Sequence, residues 1–158
     1  MNNQIQKAER VLVPVDLSER SLGALKIAQQ MANNSGAEVH VLNVHQPIVA
    51  VVPVGGAAIQ SPVGTMSTSE TQEQITKRLC EFTQSSGIAC DGLKHQVVEG
   101  SPATAIVDYA KDNQIDLIAM TTHGKTGLTR LLMGSVAESV VRTAPCPVLT
   151  LSDNSKKE

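Results

Sequence analysis

The amino-acid sequence predicts an α/β fold, an open parallel sheet of five strands covered by helices on both faces. Apolar runs rich in β-branched residues alternate along the chain with segments of helical period, as is typical of β-α-β units. The runs are apolar almost throughout, which indicates strands buried on both faces. The length of 158 residues and the apolar fraction of 41% suit an ordinary core, so we treat residues 1–158 as a single domain.

Five segments have the length and composition of buried strands. The predicted strands are RVLVPVD at 10–16, EVHVLNV at 38–44, LKHQVVE at 93–99, DLIAMTT at 116–122 and VLTLS at 148–152. Four helices are predicted between them, each with apolar residues on one face. The first begins at Ser18 and ends at Gly36, the second covers 71–86, the third begins with Ser101 as N-cap and Pro102 in the first turn, and the fourth covers 135–143.

Residues 46–69 interrupt this alternation. The segment carries no charge, contains three prolines and three glycines, and is too long for an ordinary connection between elements. Its apolar composition argues against plain disorder. We therefore expect a flap, a mobile lid or a partner surface, with a loosely structured insertion as the alternative. Residues 153–158 are expected to form a tail.

The composition argues against several classes of function. The formal net charge is −2 without a long block of like charge, and the chain has one Phe, one Tyr and no Trp, which argues against a nucleic-acid surface. No apolar run reaches the length of a membrane span, and residues 1–10 are polar where a signal peptide would be apolar. We expect a cytoplasmic protein that binds neither nucleic acid nor membrane.

The cysteines predict neither a disulfide framework nor a zinc site. The chain has an odd number of cysteines, and no two of them form a CxxC motif. They are Cys80, Cys90 and Cys146. Buried free thiols in a reducing compartment are the expected state.

The stretch HGKTG at 123–127 resembles the end of a Walker A phosphate loop, but the match fails. The pattern G-x-x-x-x-G-K-[ST] with Gly124 as its second glycine requires a glycine at Ala119, which lies inside a predicted strand. The pattern also requires a helix directly after Thr126, where Gly127 stands. A P-loop is therefore not predicted.

A different phosphate site is suggested by Gly124, the nine residues that follow it, and Gly134-Ser135. This loop follows the fourth predicted strand, and ligands of open α/β sheets bind at the carboxyl ends of strands. Ser135 and Glu138 have the spacing of a capping box, and amides in the first turn of a helix attract anions. The alternative is that both glycines are turn residues and Ser135 is only a helix cap.

The sequence resembles the universal stress protein family over nearly its whole length. The resemblance is carried by VLVPVDLSERSLGALKIA, by EVHVLNV, and above all by DLIAMTTHGKTGLTRLLMGSVAESVVRTAPCPVLTL. It implies a Rossmann-like sheet with strand order 3-2-1-4-5 and, usually, homodimers. The ATP-binding branch of the family carries G-x2-G-x9-G-[ST], which matches Gly124, Gly134 and Ser135, whereas its first glycine is replaced here by Thr121.

The resemblance also implies roles for individual residues. Asp16 would bind the ribose hydroxyls, with a simple helix cap as the alternative, and Thr121 would lie near the ribose or phosphates. The adenine would be lined by Pro14, Val15, Val44 and Met120, which are otherwise ordinary core residues at strand ends. Backbone amides for the phosphates would come from Gly124, Gly134, Ser135 and Val136, with the Ser135 hydroxyl as a further donor.

Four further positions complete the implied site. Lys125 and Arg130 would either reach phosphate oxygens or remain solvated. Ala137 stands where relatives often have a polar residue, so one contact would be missing. His123 is expected to position the loop by hydrogen bonding rather than to act as a general base, because no carboxylate is obviously placed to orient it.

The implied function is an ATP-binding regulatory module of the stress response, with ADP or AMP as alternative ligands and Mg²⁺ held through the phosphates. No efficient catalysis is expected. The alternatives are a slow ATPase and a dimeric interaction protein without nucleotide. A homodimer is expected to form through the last strand, with Val148, Leu149, Thr150 and Leu151.

Overall fold

A computed structural model of the chain describes residues 8–46, 49–54, 57–62, 72–122 and 133–152. Its strands are β1 (Arg10–Pro14), β2 (Glu38–His45), β3 (Val49–Val54), β4 (Ala57–Pro62), β5 (Leu93–Glu99), β6 (Leu117–Thr121) and β7 (Val148–Leu151). Its helices are α1 (Glu19–Ser35), α2 (Gln72–Ser85), α3 (Pro102–Asp112) and α4 (Ser135–Thr143). In the described part of the chain, no helix is both long enough and apolar enough to cross a membrane.

Five strands form a parallel sheet in the order β5-β2-β1-β6-β7. Counted along the chain as the five predicted strands, this is the order 3-2-1-4-5, so the predicted fold class is confirmed. β1 is the central strand, and its Val11, Leu12 and Val13 are fully buried. The chain runs from β1 to one edge of the sheet and then returns to complete the other half.

The core is divided by the sheet into two layers because successive side chains of a strand point to opposite faces. Val11 and Val13 pack in a cluster with Ala24, Leu25 and Ala28 of α1. On the other face, Leu12 belongs to a cluster that also holds Ile106 and Val107 of α3 and Val140 of α4. Covering both faces explains why the strands read as continuous apolar runs.

The helix ends follow the sequence signals in part. α1 ends at Gly36, which adopts a left-handed conformation with φ of 74° and donates its N–H to the carbonyl of Ala32 at 2.6 Å. Glycine is favoured there because it has no Cβ to clash. Ser18 and Ser101 occupy the N-cap positions of α1 and α3, but neither side chain bonds a helix amide.

The segment 46–69, predicted as a flap or lid, contains two strands that the sequence reading did not include. β3 and β4 pair antiparallel, from Val49 opposite Pro62 to Val54 opposite Ala57, as a two-stranded sheet separate from the five-stranded one. The β-branched run before Gly55-Gly56 was a usable hairpin signal. The prolines at 53 and 62 obscured it, because proline weakens any reading as a strand. The tail at 153–158 lies outside the described residues.

The expectation of free thiols is wrong for two of the three cysteines. Cys80 of α2 and Cys90, in the turn before β5, form a disulfide with their Cα atoms 5.6 Å apart. The chain reverses after α2, where Gly87 has a φ of 81°, and this reversal returns Cys90 to the side of the helix. Cys146 is free and half-buried.

His40 is a buried polar group that connects β2 to α3. Its Nδ1 lies 2.9 Å from the hydroxyl of Tyr109, its Nε2 lies 3.5 Å from Oε1 of Glu38, and its side chain is only 2% exposed. Burial lowers the pKa of His40, and the attraction of Glu38 opposes this only in part. Glu38 is also paired with Lys94, whose hydrogen bond lowers the pKa of that carboxyl.

Acidification from about pH 7 to about pH 5 is expected to lower the free energy of unfolding through His40. In the unfolded chain the imidazole titrates near its ordinary pKa of 6.5, whereas burial keeps it neutral to lower pH in the folded protein. The unfolded state therefore binds more protons in this interval, and stability falls as the pH falls. Urea unfolding at a series of pH values measures the slope.

The matched variant is His40→Gln, which removes the titrating group. Its stability is expected to fall less steeply over the same interval, with a remainder from His95, whose pKa is also lowered by burial. Equal slopes in the variant and the unmodified protein would contradict the assignment to His40.

Candidate functional site

A cavity of about 400 Å³ opens at the carboxyl ends of β1, β2 and β6. Its walls include Pro14 of β1, Val44 of β2 and Met120 of β6, and it is closed by the first turns of α3 and α4. α1 leaves β1 on one face of the sheet, and α4 leaves the neighbouring β6 on the other. The cavity therefore lies at the switch point of the sheet, and its volume suits a small-molecule ligand.

The predicted site residues in the described part of the chain all line this one cavity. They lie at the carboxyl ends of β1 and β6, in β2, and at the start of α4. They are Pro14, Val15, Asp16, Val44, Met120, Thr121, Gly134, Ser135, Val136 and Ala137. The remaining predicted residues, His123, Gly124, Lys125 and Arg130, lie outside the described residues.

The sequence reading missed six of the lining residues. They are Ser21, Leu42, Gln46, Pro102, Ile106 and Thr122. Gln46 directly follows β2, and Pro102 begins α3 just after β5. Because ligands of open α/β sheets bind at the carboxyl ends of strands, the ends of β2 and β5 predict both residues as candidates. Leu42 and Ile106 are buried core residues that also line the cavity, and no local signal in the sequence marks them as site residues.

The first turn of α4 differs from the capping box predicted for it. The N-cap is Gly134 rather than Ser135, and the carbonyl of Gly134 accepts the amide of Glu138 at 2.9 Å. The Glu138 carboxylate instead pairs with Arg142 one turn later, at 3.1 Å. Ser135 is therefore the first residue of the helix. The amides of Ser135, Val136 and Ala137 belong to the turn whose donors have no acceptor within the helix.

Gly134 also joins the two ends of the intervening loop. Its amide donates to the carbonyl of Thr122 at 2.7 Å, and the Thr122 amide donates to the carbonyl of Leu151 in β7 at 2.9 Å. The Gly134 amide was predicted as a phosphate donor, but here it is already bonded. The bond joins the residue after β6 to the N-cap residue of α4.

Asp16 lies in a tight turn between β1 and α1. Its Oδ1 accepts hydrogen bonds from the amide of Ser18 at 3.0 Å and from the hydroxyl of Ser18 at 2.5 Å. The intervening Leu17 has a φ of 61°, which is strained for a bulky residue, and its side chain packs against the core. The turn orients the carboxylate that lines the cavity, and it also serves the start of α1.

The base of this turn is supported by β2. Asn43, only 9% exposed, donates from Nδ2 to the carbonyl of Val15 at 2.9 Å. The Val15 amide donates to the carbonyl of Leu42 at 2.8 Å. Both polar groups of the residue before Asp16 are therefore bonded to β2, which satisfies them where water has little access.

The lining combines apolar and polar residues. Leu42, Val44, Ile106 and Met120 form the apolar part. Among the described lining residues, Asp16 alone carries a titratable side chain. Nor do the described residues bring together three His, Cys, Asp or Glu side chains in the manner of a metal site.

A model of the universal stress protein family matches residues 7–152. The chain belongs to this family. This universal stress protein is 34% identical to the universal stress protein MJ0531 of Methanocaldococcus jannaschii, with 99% of this chain and 92% of that protein covered. The resemblance inferred from the sequence motifs is thereby confirmed.

Solved structures show the same fold. The protein MJ0577 of Methanocaldococcus jannaschii superposes with a TM-score of 0.66 at 24% identity, covering 94% of this chain and 98% of that one. A universal stress protein solved in complex with cAMP superposes with a TM-score of 0.62 at 23% identity, covering 92% and 97%. Relatives at this level of identity support the architecture of this universal stress protein.

Replacing Asn43 with Leu is expected to lower the free energy of unfolding by about 1–3 kcal/mol. The change leaves the carbonyl of Val15 without its hydrogen-bond donor at the base of the strained turn. Urea unfolding measures the loss. The matched control is Asn34→Leu at an exposed position of α1, which is expected to be nearly neutral. Equal effects of the two substitutions would contradict this role of Asn43.

Proposed function

We propose that this universal stress protein binds an adenine nucleotide, in the first place ATP, in the cavity at the carboxyl ends of β1 and β6. Binding regulates the protein during the stress response rather than supporting efficient catalysis. The observation that carries the proposal is a cavity lined by the first turn of a helix, by a carboxylate and by apolar side chains. These three features match phosphate, ribose and base respectively.

The phosphates would lie at the first turn of α4. The amides of Ser135, Val136 and Ala137 have no helical acceptor, and the helix dipole places partial positive charge at this end. Anions bind such termini readily. Ser135 is the first residue of the helix and lines the cavity, so its hydroxyl would add a donor.

The nucleoside would occupy the rest of the cavity. The carboxylate of Asp16, held by Ser18, would accept hydrogen bonds from ribose hydroxyls. Val44 and Met120, with Pro14 and Val15, would line the base. Purines can be held by aliphatic walls and backbone groups, so the scarcity of aromatic residues is no obstacle.

Four residues of the loop 123–130, which lies outside the described residues, are given roles in the site by the family motif. Gly124 would offer an amide to the phosphates, Lys125 and Arg130 would approach their oxygens, and His123 would position the loop. Thr121, at the cavity wall, replaces the first glycine of the motif and adds a side chain there. Any Mg²⁺ would be held mainly by phosphate oxygens and water.

Relatives support an adenine nucleotide as the ligand class. One universal stress protein of this fold has been solved in complex with cAMP, which contains adenine, ribose and a phosphate. The three parts of the cavity are those that ATP, ADP or AMP would use as well. The proposal includes the cytoplasmic location expected from the sequence.

Regulation is favoured over hydrolysis by the side chains around the cavity. Activation of water requires a positioned general base. Asp16 is the titratable group among the described lining residues, and its Oδ1 is engaged by Ser18. A ligand with different affinity for two conformations shifts their populations, and this is the regulatory step proposed here.

Titration of the protein with Mg-ATP is expected to release or absorb heat and to raise the thermal midpoint, with a stabilisation that grows as the logarithm of ligand concentration above the dissociation constant. Val136→Trp places an indole in the cavity and is expected to weaken binding at least roughly tenfold. The matched control is Val141→Trp on the same helix, because Val141 is 46% exposed and does not line the cavity. It should bind like the unmodified protein.

Two results would contradict the nucleotide proposal. One is the absence of both heat and thermal stabilisation at millimolar ATP, ADP and AMP. The other is equal weakening by Val136→Trp and Val141→Trp. Sustained phosphate release that Val136→Trp abolishes would favour the slow ATPase instead.

We further propose that two copies associate through β7. In the described sheet, β7 has a strand neighbour only on the side of β6. The carbonyl of Pro147 accepts the amide of Ile118 in β6, and the carbonyl of Leu151 accepts the amide of Thr122, which follows β6. The backbone groups of Val148 and Thr150 therefore point towards the open edge. An unpaired edge strand favours association, and pairing across a two-fold axis would satisfy it.

Thr150→Pro is expected to give a monomer by light scattering, because proline removes an edge donor. Ser152→Pro, at an exposed position just beyond β7, is the matched control and should leave the dimer intact. A Thr150→Pro protein that stays dimeric, or a monomeric unmodified protein, would exclude this interface. Leu149 is a poorer target because its side chain packs against the core.

A further inference from the structure

Four side chains with redox or proton-transfer chemistry meet where α2 packs on β5, away from the cavity. Cys80 and Thr83 lie on α2, Cys90 lies in the turn before β5, and His95 lies on β5. The cysteines are joined, and their Cα atoms are 5.6 Å apart, a separation that a disulfide can span. None of the four residues lines the cavity.

The hydrogen bonds of Thr83 determine which nitrogen of His95 carries the proton. The Thr83 hydroxyl donates to the carbonyl of Leu79 at 2.9 Å and has no second proton to give. Its contact with Nε2 of His95, at 3.1 Å, is then an N–H group donating to the hydroxyl oxygen. The neutral imidazole carries its proton on Nε2, and this network assigns Nδ1 as the basic nitrogen.

Both ring nitrogens of His95 lie near a sulfur atom. Sγ of Cys90 is 3.7 Å from Nδ1 and 3.8 Å from Nε2. Because Nε2 donates to Thr83, Nδ1 is the nitrogen left to accept a proton from a Cys90 thiol. Burial lowers the pKa of His95 and favours the neutral ring, and a backbone hydrogen bond with Leu93 opposes this only in part. A neutral imidazole beside a thiol is the arrangement that generates a thiolate, the reactive form of cysteine.

We propose that Cys80, Cys90 and His95 form a thiol–disulfide exchange site that reacts with small-molecule disulfides such as oxidised glutathione. In the reduced protein His95 takes the thiol proton of Cys90, and the thiolate attacks one sulfur of the disulfide. A mixed disulfide forms on Cys90, and a small-molecule thiolate leaves and takes up the proton from His95. Cys80 then attacks Cys90, its own proton passes to the second leaving thiolate, and the Cys80–Cys90 bond closes.

The electrons and protons balance in this sequence. Two protein thiols are oxidised to one disulfide, and one small-molecule disulfide is reduced to two thiols. In the reverse reaction one small thiol attacks Cys90, releases Cys80 as a thiolate that takes up its proton, and leaves a mixed disulfide on Cys90. A second small thiol gives its proton to His95 and attacks the mixed disulfide, and His95 passes that proton to the departing Cys90 thiolate. The site therefore needs no metal or flavin.

Cys146 provides an internal comparison. It is half-buried in the other core layer and has no cysteine partner in the described chain. Burial raises the pKa of its thiol, and the charge of Asp116 adds to this, with the amide of Ile118 opposing. The surroundings of Cys146 therefore disfavour its thiolate.

The experiment begins with the fully reduced protein and adds oxidised glutathione at about pH 7. Thiols are counted over time with Ellman's reagent after denaturation, and linked peptides are identified by mass spectrometry. Two of the three thiols should disappear, in a Cys80–Cys90 link, while Cys146 stays reduced. Cys80→Ser should retain glutathione on Cys90, because the resolving thiol is absent.

The role of His95 is tested by the rate of the first step. An ordinary thiol is only a few per cent thiolate near pH 7, so His95→Gln should slow glutathione addition to Cys90 roughly tenfold. Thr83→Val, which removes the group that orients His95, should slow it less. Cys146→Ser should react at the original rate. Thermal midpoints of the reduced variants show whether each one is folded.

The proposal is overturned if all three thiols survive, or if Cys146 is lost as fast as Cys90. It is also overturned if folded His95→Gln and Thr83→Val proteins both react at the original rate. Nucleotide titration of the oxidised and reduced proteins is a separate measurement, so failure here leaves the nucleotide proposal untouched.

Discussion

Burial of β1 on both faces is the constraint on which the rest of the structure depends. Val11, Leu12 and Val13 are withdrawn from water completely, so helices must cover both sides of the sheet. The helix after β1 covers one side and the helix after β6 covers the other. The two chain segments separate at the carboxyl ends of adjacent strands, and the cavity is the gap they leave.

The Asp16 carboxylate in the cavity wall is held in place by the turn that follows β1. Leu17 keeps a left-handed conformation because its neighbours determine its place: Asn43 holds the carbonyl of Val15, Ser18 binds Asp16, and the leucine side chain is packed in the core. Strain of this kind persists only where several contacts enforce it. The position of Asp16 is therefore set by three residues that do not line the cavity, Asn43, Ser18 and Leu17.

Much of the architecture could be predicted because it rests on local patterns. Apolar runs mark the strands, Gly36 marks a helix end, and the motif from Gly124 to Ser135 identified the family and with it the strand order. The motif also placed its described residues around one cavity, since residues at the ends of neighbouring parallel strands must converge.

The remaining features depend on contacts between residues distant in sequence. Asn43 reads as an ordinary strand residue, and only the fold places it beside Val15. Cys80 and Cys90 have no diagnostic spacing, and a chain reversal pairs them. Ser135 has the correct capping partner in sequence, yet Gly134 takes the cap position because its amide also closes the loop to Thr122.

The bond between Gly134 and Thr122 bears on how the position of α4 and the sequence of the loop before it can change separately in evolution. It holds the N-cap residue of α4 against the residue that follows β6. Both bonded groups belong to the backbone outside residues 123–133, so substitutions in that interval remove neither the donor nor the acceptor. Sequence changes in this interval can therefore alter ligand preference while the sheet and helices are retained.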